Sequence, residues 1–114
     1  VLKDGSKAGK IQYAEGKYSV VGTSVVLIPN NADDARYLYF AMLSIDFDKY
    51  KVGSGIPHIY FKDYSCERIY YPNSALRIRI AKVLDAYEQK VEIEKEMLSA
   101  LQKQKAFLLQ SMFI

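Results

Sequence analysis

From Tyr87 onward, seam positions recur along the chain in alternating steps of four and three residues. They are Tyr87, Val91, Glu94, Leu98, Leu101, Lys105, Leu108 and Met112, and only Glu94 and Lys105 interrupt the apolar stripe. This is the heptad pattern of a helix that presents one narrow face to another helix, and polar seam residues of this kind set register and partner choice. After Pro72 the chain contains neither glycine nor proline, so nothing in it forces a helix to stop. Asn73 or Ser74 suits the N-cap, Ile80, Val83 and Leu84 give a short stripe, and Asp85 is placed to end that helix and cap a second. The pattern therefore predicts a short helix followed by a long one. A helix over residues 86–113 would reach on the order of 40 Å. A small domain cannot cover a stripe of that length, so Tyr87, Val91, Leu98, Leu101, Leu108 and Met112 are expected to meet a helical partner.

Before Pro72 the period changes. Residues 10–15 (KIQYAE), 18–29 (YSVVGTSVVLIP), 58–64 (HIYFKDY) and 67–72 (ERIYYP) are rich in β-branched and aromatic residues or alternate, as strands do. Residues 32–45 have helical spacing, with Leu38, Met42 and Ile45 on one face, Ala41 beside them, and Asn31 or Asp33 as cap. The expected fold is α+β, with a small mixed globular domain over residues 1–71 and a helical region over 72–114.

Composition narrows the function classes. At 114 residues, half of them hydrophobic, the chain has material for one core. Ten tyrosines and no tryptophan suit half-buried positions and contact surfaces. A net charge of +3 permits nucleic-acid contact without the density of a polycation. The single cysteine, Cys66, cannot form an internal disulfide, which fits a reducing compartment, and no apolar run is long enough to span a membrane. The opening VLKDGSKAGK, without methionine, reads as the interior of a longer protein.

Two glycine-rich stretches imitate nucleotide-binding loops. GSKAGKI (residues 5–11) is one residue short between its glycines and has Ile11 where a P-loop needs serine or threonine for magnesium. GSGIPH (residues 53–58) lacks the third glycine and the following helix of a dinucleotide fingerprint. Both read first as tight turns whose glycines supply positive φ. The second also reads as a loop whose backbone approaches a partner, with His58 and Lys62 nearby. One histidine and one cysteine make no metal site. No serine or cysteine stands in a nucleophile elbow. Asp33, Asp34, Asp46 and Asp48 read as caps and solvated loop charges. YYPN (residues 70–73) runs in the wrong order for an adenine-methyltransferase motif. The chain reads as non-catalytic and without a cofactor of its own.

Three blocks in order, residues 4–29, 37–64 and 70–113, the last ending in LQKQKAFLLQSMF, resemble the specificity subunit of type I restriction–modification systems. The resemblance covers nearly the whole chain and implies the later part of one target-recognition domain followed by its helical region. In that family, two recognition domains each read half of a bipartite double-stranded DNA site, and their long helices pair antiparallel as a spacer. A methyltransferase subunit docks on this frame and methylates adenine with its own S-adenosylmethionine, and a restriction subunit can join. The resemblance implies a cytoplasmic, DNA-binding, non-catalytic module that dimerises or pairs with another half-subunit through a coiled coil. Candidates for DNA contact are Lys7, Lys10, Lys17, Lys51, Ser54, His58 and Lys62. With Ile80 and Ala81 aligned, this chain carries Leu76 and Arg77 where the family typically shows a glutamate–glutamine pair. The alternative from another class is a structural or interaction protein, a helix-paired remnant without DNA binding.

Overall fold

The computed structural model describes residues 1–113. The chain forms two compact units, Val1–Ala81 and Lys82–Ile114. Its α-helices are α1 (Ala35–Leu43), the single turn α2 (Phe61–Tyr64) and α3 (Ser74–Met112), with 3₁₀ turns at Ala32–Asp34 and Phe47–Tyr50.

No strand forms among the described residues, so the expected α+β fold is corrected to a mainly helical one with irregular connections. Extended pairing is limited to three isolated antiparallel bridges, Leu2–Ser24, Asp4–His58 and Val52–His58. The Leu2 N–H donates to Lys10 O (3.0 Å) and its carbonyl accepts from Gly9 N (2.7 Å), both on the side of the backbone away from Ser24. Residues 18–29 are held by neighbouring backbone only around residues 23–25, through Lys3 N to Thr23 O and Val25 N to Val1 O, both 2.8 Å. At residues 58–64 the chain leaves the extended conformation after Tyr60 and closes α2. Strand propensity records suitability for a half-buried pleated surface, and without a ladder it has no effect.

The core of the first unit is small. Ala8, Phe47, Ile59 and Tyr64 are buried, and Val1, Ile11, Met42, Ile45 and Tyr50 pack against them. Phe47 and Tyr64 meet edge to face at 5.3 Å between ring centroids, a geometry that favours ring quadrupoles. Met42 packs on the core from α1 and Ile45 from beyond its end, whereas Leu38, expected on the same face, is not among the residues packed there and Tyr37 is the buried residue of α1. Beside this core lies an open, largely apolar groove of about 1170 Å³, whose lining includes Val20, Val25, Leu38 and Met42.

Local caps follow side-chain chemistry. Asn31 Oδ1 accepts from Asp33 N (3.0 Å) at the turn before α1, and Asn73 Oδ1 accepts from Leu76 N (2.9 Å) at the start of α3. Each satisfies a helix-terminal N–H that would otherwise lack a partner. Asp85 does not break α3, which runs unbroken through it. The expected short and long helices are one, because an aspartate costs a helix only a few tenths of a kcal/mol (roughly 0.5–0.7) while Gly and Pro are absent. In the second unit every helical side chain along the seam is exposed, including Tyr87, Val91, Leu98, Leu101, Leu108 and Met112.

Candidate nucleic-acid interface

The two glycine loops that the sequence presents separately are stitched together. Gly5 N donates to Pro57 O (2.8 Å), and Ile59 N donates to Lys3 O (2.8 Å). Between those bonds Asp4 and His58 face each other, their side chains 2.7 Å apart from Oδ1 to Nδ1. Val52 and His58 exchange two backbone bonds of 2.9 Å, which closes residues 52–58 into a reverse turn. Lys51 Nζ reaches Ser6 O at 3.5 Å, tying the second loop to the first.

The glycines are required by this geometry. Gly53 has φ of 110° and a Cβ there would stand 3.0 Å from Ile56 O. Gly9 has φ of 95° and a Cβ there would stand 2.5 Å from Phe47 Cβ. A side chain at Gly9 would therefore push the loop off the core. The first loop is bolted to the hydrophobic centre through a residue chosen for its small size.

This arrangement brings Lys7, Lys10, Lys51, Ser54 and His58 onto two adjoining loops. Lys7, Lys10 and Ser54 are exposed, and Lys51 and His58 are half-buried. Lys51 is also 2.7 Å from Asp48 Oδ1. Lys17 and Lys62 are placed elsewhere: Lys17 follows the Gly16 turn, and Lys62 lies in α2 with its ammonium 5.6 Å from the centre of the Tyr60 ring. Lysines on loops whose backbone is fixed by glycine and by cross-loop bonds form a surface suited to phosphate oxygens, and phosphate contacts position a protein on DNA without reading its sequence.

A second constellation lies where α3 begins and was not foreseen. Asp34, expected as a solvated cap, is the buried charged residue among those described, at 6 % exposure. Arg77 Nε donates to Asp34 Oδ1 at 3.0 Å, and the Tyr71 hydroxyl donates to Asp34 Oδ2. The Arg77 guanidinium also donates to Pro72 O and lies over the Tyr71 ring at 4.1 Å. Tyr37 donates its hydroxyl to Tyr70 O. The Tyr71 hydrogen bond, opposed by burial and helped by Arg77, holds the Asp34 carboxyl below its ordinary pKa. The first turn of α3 is thereby clamped to the turn that precedes α1. The only signal in the sequence was Arg77 itself, standing where the resemblance leads one to expect a glutamine. A third cluster seats the Arg36 guanidinium 4.5 Å from the Tyr13 ring and 5.0 Å from that of Tyr39.

Near α2, Glu67 accepts from the Tyr50 hydroxyl and pairs with Lys49 at 3.1 Å. Those two hydrogen bonds lower its pKa. Among the described residues no group of three or more His, Cys, Asp or Glu side chains could hold a metal ion, and no helix is long and apolar enough to cross a membrane.

The first unit thus joins two glycine loops bearing lysines, and its clamp fixes the first turn of α3. The family model described as the type I restriction modification DNA specificity domain matches residues 1–103. The chain belongs to that family, whose domains recognise DNA sequence in type I restriction–modification systems. No curated protein and no solved structure matches it.

Proposed function

We propose that this chain is a non-catalytic DNA-recognition module that directs an adenine methyltransferase to one half of a bipartite site. It works in the cytoplasm, pairs through α3 with a second specificity half-subunit or copy, and holds no cofactor, S-adenosylmethionine residing on the methyltransferase. A restriction subunit can join the same frame. The observation that carries the reading is the fusion of loops 5–10 and 51–58 into one surface bearing Lys7, Lys10 and Lys51, in a chain of the DNA specificity family. Lys17 and Lys62 extend the proposed contact from outside these loops. Ser54 and His58 lie on the same loops as further candidates for DNA contact.

The test is binding to duplex DNA across a salt series. Each phosphate neutralised contributes a slope of about 0.9 in log affinity against log salt. Alanine at Lys7, Lys10 and Lys51 together is expected to lower the slope by about two to three. Co-expression with a type I methyltransferase subunit should then give methylated adenines in an inverted, bipartite pattern. Binding that ignores both salt and the three substitutions, with no methylation, would leave a helix-paired interaction protein as the function.

A further inference from the structure

The tip of the second glycine loop carries a side chain that the core does not use. Ile56 stands between Gly55 and Pro57 with 66 % of its surface exposed. It belongs neither to the buried cluster around Phe47 nor to the apolar stripe of α3. Its company over residues 53–58 is two glycines, a serine, a proline and a histidine. An apolar side chain in that company is hydrated at a cost that contact with another apolar surface recovers.

The loop also limits how Ile56 can move. The paired bonds between Val52 and His58 close its base, and the bond from Gly5 N to Pro57 O ties it to the first loop. A proline disfavours the helical region for the residue before it, which holds Ile56 extended. Gly53 lies so near the Ile56 carbonyl that a Cβ there would approach to 3.0 Å. Isoleucine itself is stiff at χ1, because it branches at Cβ. Among the described residues, Ser54, Gly55 and Ile56 give their N–H groups to no backbone acceptor, and a phosphate oxygen is a suitable one. The tip is therefore a stiff apolar knob among groups that suit phosphate, on a loop that bears Lys51 and is joined to the one bearing Lys7 and Lys10.

That combination fits DNA in a particular way. Behind the phosphates of a duplex lie stacked base pairs, whose faces are its apolar surface. Aliphatic or aromatic side chains pushed between two base pairs kink DNA by about 20–90°. Pyrimidine–purine steps such as TA and CA unstack most readily, so a kink selects them without a hydrogen bond to any base. We infer that Ile56 is such a wedge, inserted between two base pairs and kinking the DNA at a flexible pyrimidine–purine step. The inference rests on the DNA-recognition reading proposed above and adds to it a deformation, a residue that causes it and a step that it prefers.

The test uses the full chain and short duplexes that carry end dyes for energy transfer and the fluorescent base aminopurine at a central TA or CA step. Saturating wild type is expected to bring the duplex ends together and to brighten the aminopurine as its step unstacks. Ile56→Ser should lose most of both signals while its salt slope stays that of wild type, since no cation is removed. Alanine at Lys7, Lys10 and Lys51 together should do the reverse at saturation, lowering the slope and keeping the bend. Ile56→Phe should keep the bend, because phenylalanine also serves as a wedge, whereas a loop merely disturbed by substitution would not be rescued in this way. Salt-dependent binding to a straight duplex, an Ile56→Ser variant that bends DNA like wild type, or a bend lost equally in Ile56→Phe would overturn the wedge and leave the recognition reading standing. Absence of binding at low salt would overturn both.

Discussion

Gly5 and Gly9 make an internally controlled experiment on what anchors the candidate interface. Both lie in the left-handed region, at φ of 97° and 95°, so alanine at either meets the same backbone penalty of about 1–2 kcal/mol. Their surroundings differ. Nothing lies within 4 Å of a Cβ at Gly5, whereas one at Gly9 would stand 2.5 Å from Phe47 Cβ and 3.1 Å from Phe47 Cγ. Phe47 is buried and packs on Tyr64, so it cannot swing into solvent without opening the core. Overpacking of this kind adds about 1–3 kcal/mol. Gly5→Ala is thus expected to lose about 1–2 kcal/mol and Gly9→Ala about 2–5 kcal/mol in all. Urea denaturation followed by tyrosine near-ultraviolet dichroism reads the first unit, since nine of the ten tyrosines precede residue 82. Far-ultraviolet signal would be dominated by α3. Equal losses for the two glycine variants would refute the contact between the loop and the core.

Two further outcomes follow from the clamp. Tyr71 and Arg77 hold the Asp34 carboxyl below its ordinary pKa, so the folded state gains stability that is present above the unfolded carboxylate's pKa and lost as pH falls through the lowered one. An Asp34→Asn variant should therefore lose less than wild type when denaturation midpoints at pH 7 are compared with those in acid below that range. Arg77→Leu should speed amide hydrogen exchange in the first two turns of α3 while leaving residues 95–105 unchanged, and uniform acceleration along the helix would count against a local clamp.

The helical character of α1 and of residues 74–112 was legible, whereas the turn α2, the continuity of α3 through Asp85 and the clamp were not, for a physical reason. The helical signals at α1 and α3 are local: the spacing of Met42 and Ile45, the amide of Asn73, and a long run without glycine or proline. Asp34 and Arg77 lie 43 residues apart, and neither shows at its own position that it will find the other. The strand signals failed for a related reason. Residues 18–29 carry β-branched side chains in abundance, but a strand exists only with a neighbour, and the backbone bonds from Val1 and Lys3 reach this segment only at Thr23 and Val25. For the interface, the sequence identified two loops and a set of lysines. It did not reveal that bonds from Gly5 to Pro57 and from Lys51 to Ser6 join the two loops that carry Lys7, Lys10 and Lys51.

The unladdered segment at residues 18–29 also bears on how the protein behaves as a material. Val20, Val21, Val26, Leu27 and Ile28 stand exposed, in a stretch with high β propensity and no charged residue from Tyr18 to Pro29. Open, uncharged, apolar backbone of this type is a template on which further molecules add as strands, and it seeds fibrillar aggregates. Concentrating the isolated chain is therefore expected to promote intermolecular sheet growth, and a single gatekeeper charge such as Val26→Lys should slow it in a thioflavin assay while leaving the helical signal of α3 unchanged.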